Sequence, residues 1–161
     1  MTSSNTIYSP ITFESYTIRL LEFDDDTITQ AVNLLCANCP NESARYDDER
    51  LRGEIECLNT RPFYKLFFGA YDSDNSLVAV GGVKAADWAS DTHLLYTMAV
   101  DKAHRGKGLG SKLEWIRIQW VREHFNHGRF LVSTKHKKRF ERWDFHVISE
   151  INGRHLMMLT F

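Results

Sequence analysis

The stretch 98–111, Met-Ala-Val-Asp-Lys-Ala-His-Arg-Gly-Lys-Gly-Leu-Gly-Ser, constrains this chain more than any other. An apolar run ends in it, and Gly106, Gly108 and Gly110 follow on alternate positions. From Leu109 onward the apolar residues recur at helical spacing. Glycine accepts the positive φ that a tight strand-to-helix turn demands and lets the backbone approach a ligand closely. The amides of such a turn, together with the partial positive charge of the helix behind it, make a seat for an anion. Arg105 and Lys107 add two full charges. The stretch reads as a strand, a pyrophosphate-binding turn and a helix. A turn that binds nothing accounts for one glycine, but poorly for three and not at all for the flanking cations.

Two nucleotide motifs do not fit. A dinucleotide fingerprint requires G-x-G-x-x-G, and here the third glycine comes one residue early. A P-loop requires G-x-x-x-x-G-K-[ST], and five residues beyond Gly106 stands Ser111.

On either side of the turn the chain alternates short elements. Residues 1–12 offer no helical face and read as a loosely ordered lead-in. Residues 16–21 read as a strand, and Asp24, Asp25 and Asp26 supply a cap and negative charge for a helix over 26–38, with Pro40 just beyond. A charged stretch over 43–58, with Tyr46, Leu51 and Ile55 as its thin apolar stripe, reads as a surface helix. Strands follow over 63–71 and 77–83, joined by Asp72-Ser73-Asp74-Asn75-Ser76, and a third over 93–100 enters the glycine turn. The helix 109–125 carries Leu109, Leu113, Ile116, Trp120 and Val121 at helical spacing, with Lys112, Arg117, Arg122 and Glu123 between them. A strand over 129–134, a short basic helix over 135–143 and a closing hairpin around Asn152-Gly153 complete the chain. The order β-α-α-β-β-β-α-β-α-β-β implies an α/β fold, a mixed sheet of about seven strands with antiparallel pairs at both ends.

The length, 161 residues, suits a single domain spanning 1–161. No apolar run approaches the roughly 20 residues of a membrane-spanning helix, and the polar opening lacks the build of a signal peptide, so a cytoplasmic location is expected. Three cysteines, Cys36, Cys39 and Cys57, do not form a disulfide framework. Cys36 and Cys39 have the spacing of half a zinc site, but no second pair accompanies them, and no metal is expected. The net charge of −1 conceals an asymmetry: residues 1–80 hold 13 acids and 6 bases, residues 81–161 hold 8 acids and 14 bases. One half suits a cation and the other an anion.

Arg105, Gly108 and Gly110 satisfy the pattern [QR]-x-x-G-x-[GA] behind a strand ending Met98-Ala99-Val100. With the element order, this resembles the GNAT superfamily of N-acyltransferases over about residues 16–161. The resemblance implies acetyl-coenzyme A as co-substrate. Its pyrophosphate would lie on Arg105, Gly106, Lys107, Gly108, Leu109, Gly110 and Ser111, and its pantetheine arm would pair with backbone groups near Met98 and Val100. It also implies direct attack by an amine in a ternary complex, with no covalent enzyme intermediate. The partners implied are a small cationic amine or a protein amine as acceptor, and no membrane; a homodimer is left open.

One departure from the family stands out. Many members carry F-Y-x-x-x-G-F, whose tyrosine lies near the sulfur; the matching residues 139–145 place Phe140 at the tyrosine and Asp144 at the glycine. Phenylalanine donates no proton, so a coenzyme A-binding module with weak or lost chemistry is the alternative. Alternation along the strand puts Leu94, Tyr96 and Met98 on one face and His93, Leu95 and Thr97 on the other. Tyr96 is the candidate for proton relay, set against a packing role. His93 has a suitable ordinary pKa but the opposite face. Lys135, Lys137, Lys138, Arg139 and Arg142 form a basic cluster that reads equally as a contact to the cofactor's ribose phosphate or as a solvated helix. Nucleic acid as a target ranks third, because the domain is not basic overall.

Overall fold

The computed structural model describes residues 9–22, 24–38, 52–53, 55, 58–60 and 63–161. Two short strands, β1 (Ile11–Phe13) and β2 (Tyr16–Leu20), open the fold as a hairpin, so the last residues of the expected lead-in are paired. Helix α1 (Asp25–Asn38) starts where Asp24 accepts hydrogen bonds from the Thr27 amide and hydroxyl, both at 2.8 Å. This is an N-cap in which the bonded carboxyl is held below the usual carboxylate range. The expected helix over 43–58 lies largely outside the described residues. Arg52, Gly53 and Ile55 are helical, and Leu58 already belongs to β3 (Leu58–Thr60).

Then come β4 (Phe63–Tyr71), β5 (Leu77–Ala86) and β6 (Ala89–Val100), three antiparallel neighbours, with β3 beside β4. Asp72 shapes the β4–β5 turn by accepting from the amides of Asp74 and Ser76 at 3.0 and 2.9 Å. A 3-10 turn (Lys102–His104) and helix α2 (Leu109–His124) cross over to β7 (Arg129–Thr134), which lies parallel to β6. The short helix α3 (Lys137–Glu141) precedes the hairpin of β8 (His146–Ile151) and β9 (Arg154–Thr160). Asn152 and Gly153, with φ of 52° and 72°, make its two-residue turn. The sheet order is β1-β2-β4-β5-β6-β7-β9-β8, and β3, off this path beside β4, brings the strands among the described residues to nine, two more than expected because β1 and β3 are short.

The sheet buries both faces near its centre. On one, Tyr64, Leu66, Phe68 and Phe130 pack against Leu113, Ile116 and Trp120 of α2. On the other, Phe67, Val80 and Ala99 pack against Val32 and Leu35 of α1.

Candidate functional site

Strands β6 and β7 pair over only three positions, Thr92 with Arg129, His93 with Phe130 and Leu94 with Leu131, and then part. The gap is a cleft of about 360 Å³, walled by Leu94 to Met98 on one side and Leu131 to His136 on the other. Arg117, Arg139, Phe140, Arg154 and Leu156 complete the wall. Two backbones that no longer pair with each other leave amides and carbonyls outside the ladder, which an extended ligand with amide groups can bond.

A bulge sets the geometry of β6 beside this gap. Gly82 faces Tyr96 and Gly81 faces Met98, so Thr97 is the extra residue, with a φ of 41°. The glycine pair makes room for it. A Cβ on Gly82 would come within 3.0 Å of the Tyr96 ring, and one on Gly81 within 3.2 Å of Arg117 and Met98. The bulge also corrects the alternation expected from the sequence: Leu94 and Tyr96 share the α1 side, whereas Met98 is turned to the α2 side. Tyr96 lies edge-on to Phe67, ring centroids 5.4 Å apart, and Met98 lies against Arg117.

Arg117 is 2 % exposed. Its guanidinium donates to the carbonyls of Leu113 at 3.1 Å, Gly82 at 2.8 Å and Tyr96 at 3.4 Å, and to Met98 Sδ at 3.1 Å. Two of those carbonyls flank the bulge, where the ladder is irregular. Burial lowers the arginine's pKa to about 10, with the Glu114 charge opposing the shift, and at neutral pH it remains a cation.

Glu114 is fully buried one turn before Arg117. Arg139 Nε and Arg142 Nη2, the latter at 2.7 Å, pair with its two oxygens, and Trp143 Nε1 donates to Oε2 at 3.1 Å. Thus two of the five cations in the expected basic cluster tie α3 to α2. Lys135, Lys137 and Lys138 are exposed, and the helix itself is shorter than expected, Lys137–Glu141.

The glycine turn lies at the end of β6. Asp101 caps the 3-10 turn by accepting from Ala103 N at 2.8 Å, and its own amide donates to Val78 O at 2.8 Å. Gly106 and Gly108 have φ of 77° and 78°, the left-handed region the sequence demanded, and Gly108 is the N-cap of α2. Arg105 bonds within the protein: Nε donates to Val100 O at 3.0 Å and Nη2 to Asn38 Oδ1 at 2.9 Å, fastening the turn to the end of α1. Lys107 is exposed, Leu109 is buried, and Gly110 and Ser111 are half-buried.

Of the other residues singled out, Phe140 lines the cleft with its ring against Phe145 at 5.6 Å. His93 is buried at the closed end of the cleft, with Nδ1 2.8 Å from Tyr64 Oη. Desolvation pushes its pKa down to about 4, only partly offset by Asp91. Cys36 is exposed on α1, and Cys39 and Cys57 fall outside the described residues. Among the described residues no cluster of three His, Cys, Asp or Glu could hold a metal ion, and no helix is long and apolar enough to cross a membrane.

Sequence reasoning passed over Glu114, Arg117 and the Gly81-Gly82 pair. A signal for each was present. Arg117 stands four residues after Leu113 and three before Trp120, inside the apolar phase of the helix. A glycine pair inside a strand marks a bulge or a close approach.

The model of the acetyltransferase (GNAT) family matches residues 28–146, well over half of the chain. Among solved structures, an acyl-CoA N-acyltransferase from Pseudomonas aeruginosa superposes with a TM-score of 0.70 at 14 % identity, over 89 % of this chain and 97 % of that one. An acetyltransferase from Streptococcus agalactiae gives 0.69 at 18 % identity, over 92 % and 100 %. The ribosomal-protein-S18-alanine N-acetyltransferase from Escherichia coli gives 0.69 at 12 % identity, over 90 % and 93 %. At these identities the likeness is one of fold. No curated protein matches the sequence.

Proposed function

This chain belongs to the acetyltransferase (GNAT) family, and we propose that it transfers an acetyl group from acetyl-coenzyme A to a primary amine by direct attack. The observation that carries the reading is a cleft opened by the parting of β6 and β7, with a left-handed glycine turn and the start of a long helix at its edge. The charge of the cleft agrees. Among its described lining residues there is no carboxylate, against Arg117, Lys135, Arg139 and Arg154, which suits a donor carrying several phosphates.

The bound donor would supply an activated acetyl thioester and a thiolate leaving group. Backbone groups at Met98 and Val100 would pair with its pantetheine arm. The Val100 carbonyl already accepts from Arg105 and keeps its second lone pair for a ligand. The amides of residues 105–111 would hold the pyrophosphate. The acceptor amine must be neutral to attack, so a proton has to leave it. Tyr96, half-buried in the cleft wall, is the group we assign to relay that proton. Attack on a thioester calls for no metal and no enzyme nucleophile.

The acceptor is a small cationic amine or a protein amine, a choice supported by the acid-rich residues 22–56, part of which lies outside the described residues. The reading places the enzyme in the cytoplasm, and a homodimer is compatible with it. Calorimetric titration with acetyl-coenzyme A tests the donor: binding is expected, and its absence would overturn the whole reading. Thiol release with a panel of amines tests the chemistry, and salt-insensitive preference for neutral or anionic amines would overturn the acceptor class.

A second reading rests on Phe140. It occupies the cleft wall where an acid would be useful and has no proton to give. A coenzyme A-binding module without transfer activity would bind the donor and release no thiol with any amine.

A further inference from the structure

The charges beneath the cleft do not balance. Glu114 is one carboxylate for three guanidinium groups, those of Arg117, Arg139 and Arg142. Arg117 is spent on the bulge carbonyls, and Arg142 lies with Trp143 on Glu114 Oε2. Arg139 differs from both. Its Nε is held by Glu114, while its Nη2 reaches past that pair toward Met98 Sδ, 3.5 Å away. A thioether is a weak acceptor for a cation.

The position of that Nη2 is unexpected. A Cβ built on Gly110 would lie 2.7 Å from it and 3.6 Å from Met98 Cε. Gly110 lies in the first turn of α2 and, unlike Gly106 and Gly108, is not among the positive-φ glycines. Its backbone therefore does not need glycine, and a helix would prefer alanine there. What glycine provides is room for the arginine. A guanidinium is thus set beside the first turn of α2, at the rim of the turn where the proposed pyrophosphate would lie.

We propose that Arg139 is a further donor-binding residue, reaching the pyrophosphate of acetyl-coenzyme A from beside Gly110 in the first turn of α2, and that buried Glu114 is the positioning residue that aims it. The inference rests on the acetyl-coenzyme A reading above. Glu114 fixes Nε from within the core, so the planar fork presents Nη2 outward at little entropic cost on binding. It also divides the basic cluster 135–142 by role: Arg139 binds, Arg142 braces α3, Lys135 lines the cleft, and exposed Lys137 and Lys138 are solvated.

The test compares three donors: acetyl-coenzyme A, its 3′-dephospho form and S-acetyl-pantetheine, which lacks the pyrophosphate. Arg139→Ala should weaken acetyl-coenzyme A and the dephospho form alike, by about tenfold for one lost charge-assisted contact. It should leave KM for S-acetyl-pantetheine unchanged, and Arg139→Lys should restore part of the loss. Glu114→Gln should weaken both phosphorylated donors by a smaller factor and add nothing in the Arg139→Ala background, because both changes remove the same contact. Equal loss with all three donors would show that Arg139 serves the fold, and loss confined to acetyl-coenzyme A would assign it to the ribose phosphate. Either result, or no loss at all, overturns the proposal. Failure of the unaltered protein to bind acetyl-coenzyme A would instead overturn the reading on which it rests. Thermal midpoints recorded alongside separate unfolding from loss of contact.

Discussion

The two ends of strand β6 have different environments although they belong to one continuous element. At the end near His93 the strand is held on both sides, by β5 and β7, and its neighbours are aromatic: His93 lies within 6 Å of the rings of Tyr64, Phe125, Phe130 and Phe161. At the end near Met98 it keeps β5 only, carries a bulge, and is supported by Arg117, Glu114 and Arg139. The closed end buries Thr92 and His93 and holds the sheet together. The open end carries charge because a broken ladder leaves backbone groups that only polar side chains can satisfy. On the proposed function, stability and donor binding fall at opposite ends of one strand, and substitutions at the two ends should separate them.

The sharpest separation is expected at Gly108. Its φ of 78° suits glycine, and a Cβ there would meet Phe13 at 3.2 Å. Gly108→Leu should abolish acetyl-coenzyme A binding in calorimetry, at a cost in stability of about 1–3 kcal/mol for a strained left-handed residue. The circular dichroism spectrum should stay that of the folded protein. Retained affinity would remove the glycine turn from the site.

Arg117→Ala should break the division, since this buried residue belongs to the open end and yet holds the fold through the carbonyls of Leu113, Gly82 and Tyr96. Removing its donors and leaving a cavity should cost about 3 kcal/mol in urea unfolding, and relaxation of the bulge should weaken donor binding as well. Undiminished affinity would mean that Arg117 supports the fold alone.

The closed end makes its own prediction with pH. His93 titrates near 4 in the folded chain and near the ordinary histidine value of 6.5 when unfolded, because burial disfavours its charged form. Between those values the unfolded chain binds more protons, so stability should fall as pH drops from about 6.5 toward 4 and level off above it. His93→Phe should flatten that part of a stability–pH profile. A profile unchanged by the substitution would show that His93 does not set it.

The smallest effect belongs to Tyr64→Phe, which removes the hydroxyl bonded to His93 Nδ1. About 1 kcal/mol of stability should be lost, with donor affinity unaltered. A change in affinity would couple the two ends.

The sequence by itself determined the strand–turn–helix unit and the order of the longer described elements around it, but not the short strands β1 and β3. Positive φ at Gly106 and Gly108, the cap at Asp24, the turn at Asn152-Gly153 and the apolar stripe of α2 are each fixed by residues a few positions apart. The family resemblance rested on those local units, and the matched family model agrees with it. The tertiary structure alone decided which face of β6 Met98 occupies, because the bulge at Thr97 depends on a glycine pair across the ladder in β5. Likewise, it alone decided that Glu114 and Arg117 are buried. A charged side chain on a helix is solvated or enclosed according to what packs against it, and here the partners come from α3 and from the bulge, 25 or more residues away along the chain for Arg139 and Arg142. Composition and periodicity report what one segment prefers. Burial of charge is settled by distant groups that supply its hydrogen bonds.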